Sequence, residues 1–257
     1  MPHSPLLLRA RTLSQLSWLN HGFGTRACGL TRSKPPECEH GRLRMLRQVH
    51  SDLIWRDPVW LQAGDGLMTR KTGAMLSVRT ADCCPVLLAD TRLRAVAAVH
   101  AGWKGTLNRI AEKAVGEMRA AWGSDPAHIR AAIGPCIGPC CYEVGGEIVQ
   151  AFEARFSYAA ELFQAPPDDP VRNRYPMLFM TAAPPGHAPD HPYDTRFNPA
   201  QRPRLNLAEA LRFQLRDAGI PSLGTETIGL CTRCHPQLFY SHRGGDSGRM
   251  MSAIVIN

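Results

Sequence analysis

Three short apolar runs within one stretch of chain constrain this sequence more than any other feature. Ala74-Met75-Leu76-Ser77-Val78, Pro85-Val86-Leu87-Leu88-Ala89 and the run from Ala95 to Val99 are each bounded by polar or turn-forming residues. Apolar runs this short, this closely spaced and rich in branched side chains predict neighbouring strands, because a helix would need a longer periodic segment. The second run ends at Asp90 and the third at His100. Ala101-Gly102-Trp103-Lys104-Gly105 then makes a tight passage into a helix expected from about Thr106 to Ala121. Gly102 and Gly105 flank a bulky Trp where the backbone has to turn sharply. A helix start there would aim backbone N–H groups at an anion near His100.

This layout puts chemistry at strand ends, where loops carried by a rigid scaffold commonly hold active sites. Cys83, in R-T-A-D-C-C-P-V-L-L-A-D, falls in the turn between the first two strands, and His100 closes the third. His50 closes another short apolar run in L-R-Q-V-H-S-D. Thiolate and imidazole are the donors that zinc and copper prefer. Two His and one Cys are one ligand short of a tetrahedral shell, and an open fourth position separates catalytic sites from structural ones. Cys83 equally suits a nucleophile beside a His base. A Cys in an apolar run is more often a packing residue, and a lone His more often a surface one. Here Asp82-Cys83 lies at a strand break and not inside a strand, which favours a chemical role. Strand alternation sends the adjacent Cys84 to the opposite face, into the core.

Six motifs then follow in order: Q-V-H-S-D, T-A-D-C-C-P-V-L-L-A-D, H-A-G-W-K-G, I-G-P-C-I-G-P-C-C-Y-E-V-G, C-T at 231–232 and F-Y-S-H-R-G-G-D-S-G-R-M. From about Phe23 to Ile256 the chain resembles the laccase-domain family, also called multicopper polyphenol oxidase-like or purine nucleoside phosphorylase, which includes a peptidoglycan editing factor. The resemblance implies an α+β fold: one domain of four layers, α/β/β/α, with mixed sheets, of the cytotoxic-necrotising-factor-like cysteine hydrolase type. It implies phosphorolysis of adenosine, inosine, guanosine and methylthioadenosine, together with adenosine deamination. The family's metal-binding His, Cys and His carry over onto His50, Cys83 and His100, which are also the catalytic candidates. Zinc is the expected metal, with copper as an alternative. Asp65 in G-D-G-L-M-T is similar to the family's D-A/G-L-x-T and is a candidate for substrate contact or, with Asp82, for proton handling. Arg243 and Arg249 stand among glycines, where a bidentate guanidinium would suit phosphate. Two departures from the family pattern lie in the same loop, where its aromatic is His242 and its second Arg is Gly244.

Other readings of the same residues stay open. Cys83 could serve a cysteine amidohydrolase that edits cell-wall precursors, or the trio a non-enzymatic metal-binding protein. Copper oxidation of phenols fits less well, since multicopper sites draw on H-x-H pairs and the ten His of this chain form none. Cys231-Thr232-Arg233-Cys234-His235 has the spacing of a covalent haem attachment, which requires export that nothing in the sequence supports. Cys140, Cys141, Cys231 and Cys234 have paired spacings that suit a structural zinc, or they are reduced thiols beside Cys136.

Length and composition set the remaining bounds. The 257 residues, with 44% hydrophobic and 20% charged and no compositional break, suit a single domain over 1–257. An irregular excursion at about 165–204 carries ten of the 21 prolines. No export signal and no apolar run near 18 residues is seen, so a cytoplasmic location and reduced cysteines are expected. The net charge of +8 comes almost wholly from Arg and suits an anionic or phosphate-bearing substrate. No recognition helix or aromatic-basic stripe appears, so the expected partners are a purine nucleoside and phosphate. Nucleic acid, membrane and an obligate protein partner are not expected.

Overall fold

A computed structural model describes residues 6–28, 43–165 and 202–257. The architecture is mixed α+β. The chain divides into two compact units: Met1–Gly138 with Leu207–Asn257, and Pro139–Asn206.

The first unit is built on two mixed sheets. One has the order β1 (Leu7–Leu8), β2 (Leu19–Gly24), β13 (Met250–Ile256), β6 (Met75–Thr80), β3 (Leu43–Met45). The other has the order β12 (Thr225–Thr227), β9 (Ile129–Ile133), β7 (Cys84–Asp90), β8 (Ala95–Ala101), β5 (Gly66–Thr69), β4 (Ile54–Arg56). One buried cluster joins Phe23, Leu76, Val78 and Ile254 of the first sheet to Leu67, Leu87, Val96 and Ala132 of the second, so their faces pack together. β7 and β8 are buried at every position, which explains why they read as continuous apolar runs and not as alternating ones. β13, by contrast, alternates between buried and half-buried residues.

Of the helices α1 (Arg11–Ser14), α2 (Trp103–Leu107) and α3 (Ile110–Trp122), the last buries Ile110, Ala111, Ala114, Val115 and Met118, one stripe at helical spacing. The helix expected from Thr106 to Ala121 is thus two helices. Arg109, at φ 63°, takes a left-handed conformation and breaks the run between them. Gly123, at φ 73°, ends α3 by returning its N–H to the Arg119 carbonyl.

In the second unit α4 (Gly146–Glu153) ends short of the Phe156 expected for it, and α5 (Ala159–Leu162) leads into β10 (Phe163–Gln164), which pairs with β11 (Arg204–Leu205). Within this unit Glu143 and Arg204 form an ion pair at 3.3 Å. Most of the Pro-rich excursion, residues 166–201, lies outside the described residues. Back in the first unit, α6 (Leu207–Asp217) matches the expected helix within a residue, whereas the strand expected from Thr225 to Leu230 closes at Thr227. No described helix is long and apolar enough to cross a membrane.

Candidate metal centre and its cavity

Strand register brings the predicted ligands together. β7 and β8 run antiparallel with Cys84 opposite Ala101 and Pro85 opposite His100. The residue just before β7 therefore meets the last residues of β8, and Cys83 meets His100. β5 pairs with β8 through Gly66 and Val99, and the His100 N–H donates to the Asp65 carbonyl at 2.7 Å, which sets Asp65 beside His100. The donor atoms of His50, Cys83 and His100 all lie within 4.8 Å of one another. Cys83 Sγ is 3.9 Å from His50 Nε2, and the two imidazole rings meet edge to face at 4.9 Å. Gly102 makes this approach feasible. A Cβ there would stand 3.0 Å from His50 Cδ2 and 3.1 Å from Cys83 Sγ.

Asp65 orients the trio from behind. Its carboxylate accepts the backbone N–H groups of Val49, His50 and Ser51 at 3.2, 3.1 and 2.6 Å, and the Ser51 hydroxyl at 2.7 Å. His50 takes a positive φ of 58°, the conformation that lets consecutive N–H groups converge on one anion. The His100 Nδ1–H donates to Asp65 Oδ1 at 2.8 Å, which turns Nε2 toward Cys83 and His50. This is the carboxylate–imidazole arrangement by which proteins fix the tautomer and direction of a metal-binding His. Asp65 was expected among the substrate contacts. It is fully buried with its oxygens engaged, so its reach to a ligand runs through His100.

The charges in the trio support one another. Burial alone would raise the Cys83 thiol, but the charge of His100 and hydrogen bonds from His100 and His50 outweigh it and bring the thiol down to about 6. Burial would lower His100, yet the Cys83 thiolate and the Asp65 carboxylate lift it to about 9. Asp65 itself is raised by burial but held down to about 2 by the hydrogen bonds from His100 and Ser51. The arrangement thus favours a thiolate at neutral pH, the form that binds metal or attacks an electrophile.

A second carboxylate ties the surrounding loops. Asp82, at φ 84°, accepts the Thr232 hydroxyl on Oδ1 and the Arg243 backbone N–H on Oδ2, both at 2.7 Å, while its carbonyl receives the Ile137 N–H at 2.9 Å. Asp82, considered for proton handling, is therefore engaged in holding the loop that precedes Cys83 against three other segments. Cys84 is fully buried, on the core side as alternation requires. Burial and the neighbouring Cys136 push its thiol well above the usual range, so it is inert beside a reactive neighbour. Within the same unit the Gly138 N–H donates to Cys231 Sγ at 3.2 Å.

The trio opens on a cavity of about 360 Å³, whose other walls are Gln48, Arg79, Ala81, His242 and Arg249. That volume lies in the range of small-molecule sites. Arg249, predicted from its Gly-rich loop, lines the cavity; Arg243 is exposed and is not among the lining residues. Gln48, Ser51 and Arg79 were not singled out from the sequence. Their signal was adjacency alone: Gln48 and Ser51 flank Val49-His50, and Arg79 precedes T-A-D-C by one residue.

A family model described as a multi-copper polyphenol oxidoreductase laccase matches residues 33–257. The chain belongs to this family. A purine nucleoside phosphorylase of Bacteroides thetaiotaomicron is 32% identical over 199 residues, 77% of this chain and 62% of that protein. Adenosine deaminase RL5, from an unknown prokaryotic organism, is 35% identical over 197 residues, 76% of this chain and 63% of that protein. The chain thus spans less than two thirds of the length of these relatives. The crystal structure of Bacillus licheniformis hypothetical protein YfiH superposes with a TM-score of 0.76 at 27% identity, covering 99% of this chain and 97% of that one.

The donor set itself tests whether a metal fits this laccase-like site. Two imidazoles and a thiolate suit zinc or copper and disfavour magnesium or calcium, which take oxygen donors. Three donors converge, one oriented by a carboxylate, at the foot of a cavity that leaves one side of the group accessible. The residues fit a catalytic metal of the three-ligand type.

Proposed function

We propose that this chain is a zinc-dependent enzyme of purine nucleosides, performing phosphorolysis of adenosine, inosine, guanosine or methylthioadenosine and deamination of adenosine. The observation that carries the reading is the convergence of His50, Cys83 and His100 at the floor of a cavity large enough for a nucleoside. The names of the relatives support the substrate class. We further propose the four-layer cysteine-hydrolase type of fold, supported by two sheets packed face to face, and a cytoplasmic setting without nucleic-acid, membrane or obligate protein partners.

Bound zinc would supply a Lewis acid that lowers the pKa of a coordinated water toward 7. The rest of the chemistry falls to the chain. His50, Cys83 and His100 hold the metal, and Asp65 fixes the direction of His100. Arg249 supplies positive charge facing the cavity, where an anion must sit against C1′ as the glycosidic bond breaks with oxocarbenium character. Arg243 is proposed to support that anion from its exposed position at the loop rim.

A second reading rests on the 3.9 Å approach of Cys83 Sγ to His50 Nε2 and the lowered thiol, which would serve a nucleophile and base in a cysteine amidohydrolase. One experiment separates the two. Metal content, inosine phosphorolysis and adenosine deamination are measured on the same protein before and after chelation, and again with Cys83→Ala. The zinc reading expects about one zinc per chain, loss of both activities on chelation and recovery with zinc. Full metal retention by Cys83→Ala would sink it, and amide hydrolysis by metal-free protein would establish the nucleophile instead.

A further inference from the structure

Arg79 lines the cavity, yet none of the chemistry above uses it. It is the next-to-last residue of β6, and one side chain grips its backbone on both sides. Gln48 Oε1 accepts the Arg79 N–H at 2.8 Å, and Gln48 Nε2 donates to the Arg79 carbonyl at 2.7 Å. Gln48 is itself two residues from His50, so Arg79 is tied to the metal ligands through a rigid strand and a short loop.

Register places a second guanidinium beside it. β13 pairs with β6 through Met251 opposite Arg79 and Met250 opposite Thr80. Continued by one residue, this sets Arg249 opposite Ala81, and alternation puts Arg79, Ala81 and Arg249 on one face of the sheet. All three line the cavity. Arg79 Nε is buried and has no hydrogen-bond partner among the described residues, nor does its guanidinium form an ion pair among them. Arg26, in contrast, pairs with Asp246 at 2.8 Å. None of the eight lining residues is a carboxylate, and Asp65 and Asp82 lie behind the wall with their oxygens engaged. A half-buried, permanently charged guanidinium whose Nε is buried without a partner, facing a cavity whose lining holds no carboxylate, calls for an anion from solution.

We propose that Arg79 is an oxyanion-binding residue that, with Arg249, holds inorganic phosphate above the metal trio. The proposal deepens the phosphorolysis reading and rests on it for the identity of the anion. A planar fork on a strand, with its backbone clamped, is preorganised for bidentate contact with two phosphate oxygens. Arg243, exposed on a loop and outside the cavity lining, lacks that placement.

The test uses zinc-loaded protein and its Arg79→Met and Arg79→Lys variants. Both should keep wild-type melting temperatures and metal content, because Gln48 grips main-chain atoms. Equilibrium dialysis with radiolabelled inorganic phosphate should show binding weakened roughly tenfold or more in Arg79→Met, with Arg79→Lys in between. In inosine phosphorolysis the KM for phosphate should rise in parallel, while the KM for inosine and the rate of adenosine deamination stay within about twofold. Phosphate binding that is equal in wild type and Arg79→Met, or absent from wild type, overturns the proposal. So does binding of adenosine 5′-monophosphate, but not free phosphate, that depends on Arg79. If wild type turns over no inosine yet binds phosphate through Arg79, the phosphorylase reading fails and the anion site stands.

Discussion

Replacing Gly102 with alanine probes the metal centre with little disturbance of the fold. The backbone there, at φ −82° and ψ 177°, is one that alanine adopts freely, so the substitution carries no conformational penalty and even restricts the unfolded chain slightly. Its whole effect comes from the added Cβ, 3.0 Å from His50 Cδ2 and 3.1 Å from Cys83 Sγ. Ordinary contact begins near 3.4 Å, so the two ligands must move by about 0.4 and 0.3 Å. Metal–ligand distances tolerate only about 0.2 Å of error. Displacing two of three donors beyond that tolerance should weaken zinc binding about 10- to 100-fold, equivalent to about 1.4–2.8 kcal/mol. Zinc affinity is read by competition with a chromophoric chelator, and the fold by thermal unfolding of the metal-free protein. Gly102→Ala should show the affinity loss with an unchanged or slightly higher metal-free Tm. Wild-type affinity would refute the assignment of His50 and Cys83 as ligands of one ion, and a large drop in metal-free Tm would show that Gly102 serves the fold instead.

Cys84 and His21 give two further outcomes. Cys84→Ala empties a small volume in a fully buried position and should cost about 1 kcal/mol, lowering Tm by about 2–4 °C, with zinc content and turnover unchanged; loss of zinc in this variant would show that the facing of Cys83 and Cys84 is reversed. His21, buried in β2, accepts the Ala10 N–H on Nε2 at 3.0 Å, and burial followed by the nearby Arg9 pushes it down to about 4. A lowered His pKa means that the unfolded chain takes up the proton first, so stability present above about pH 6.5 is lost as pH falls toward 4, by roughly 3 kcal/mol in all. Urea unfolding at pH 7 and pH 5 should therefore show a smaller acid loss in His21→Gln than in wild type, by about 2 kcal/mol, and equal losses would remove His21 as the cause.

The local pattern carried a good deal. Three apolar runs announced β6, β7 and β8 within a few residues, most plainly β7 and β8, which are buried at every position and so have few polar residues to blur them. Cys83, His50 and His100 were legible as candidates because each falls at a run's end, and the facing of Cys84 followed from a period of two. Chain-distant geometry was not legible. Asp65 looked like a substrate contact, since a carboxylate beside a glycine reads the same whether its oxygens face solvent or three backbone N–H groups. Its burial depends on β5 pairing with β8 and on the left-handed turn at His50, and neither leaves a periodic trace. The break at Arg109 was hidden because nothing in a Leu-Asn-Arg-Ile segment forbids a continuous helix. Arg79 reads as an ordinary exposed charge on a strand. Only the pairing of β6 with β13, whose sequences lie far apart in the chain, brings it beside Arg249 at a cavity. Periodicity records which face of an element is buried, whereas the partner on that face is chosen by the packing of the whole molecule.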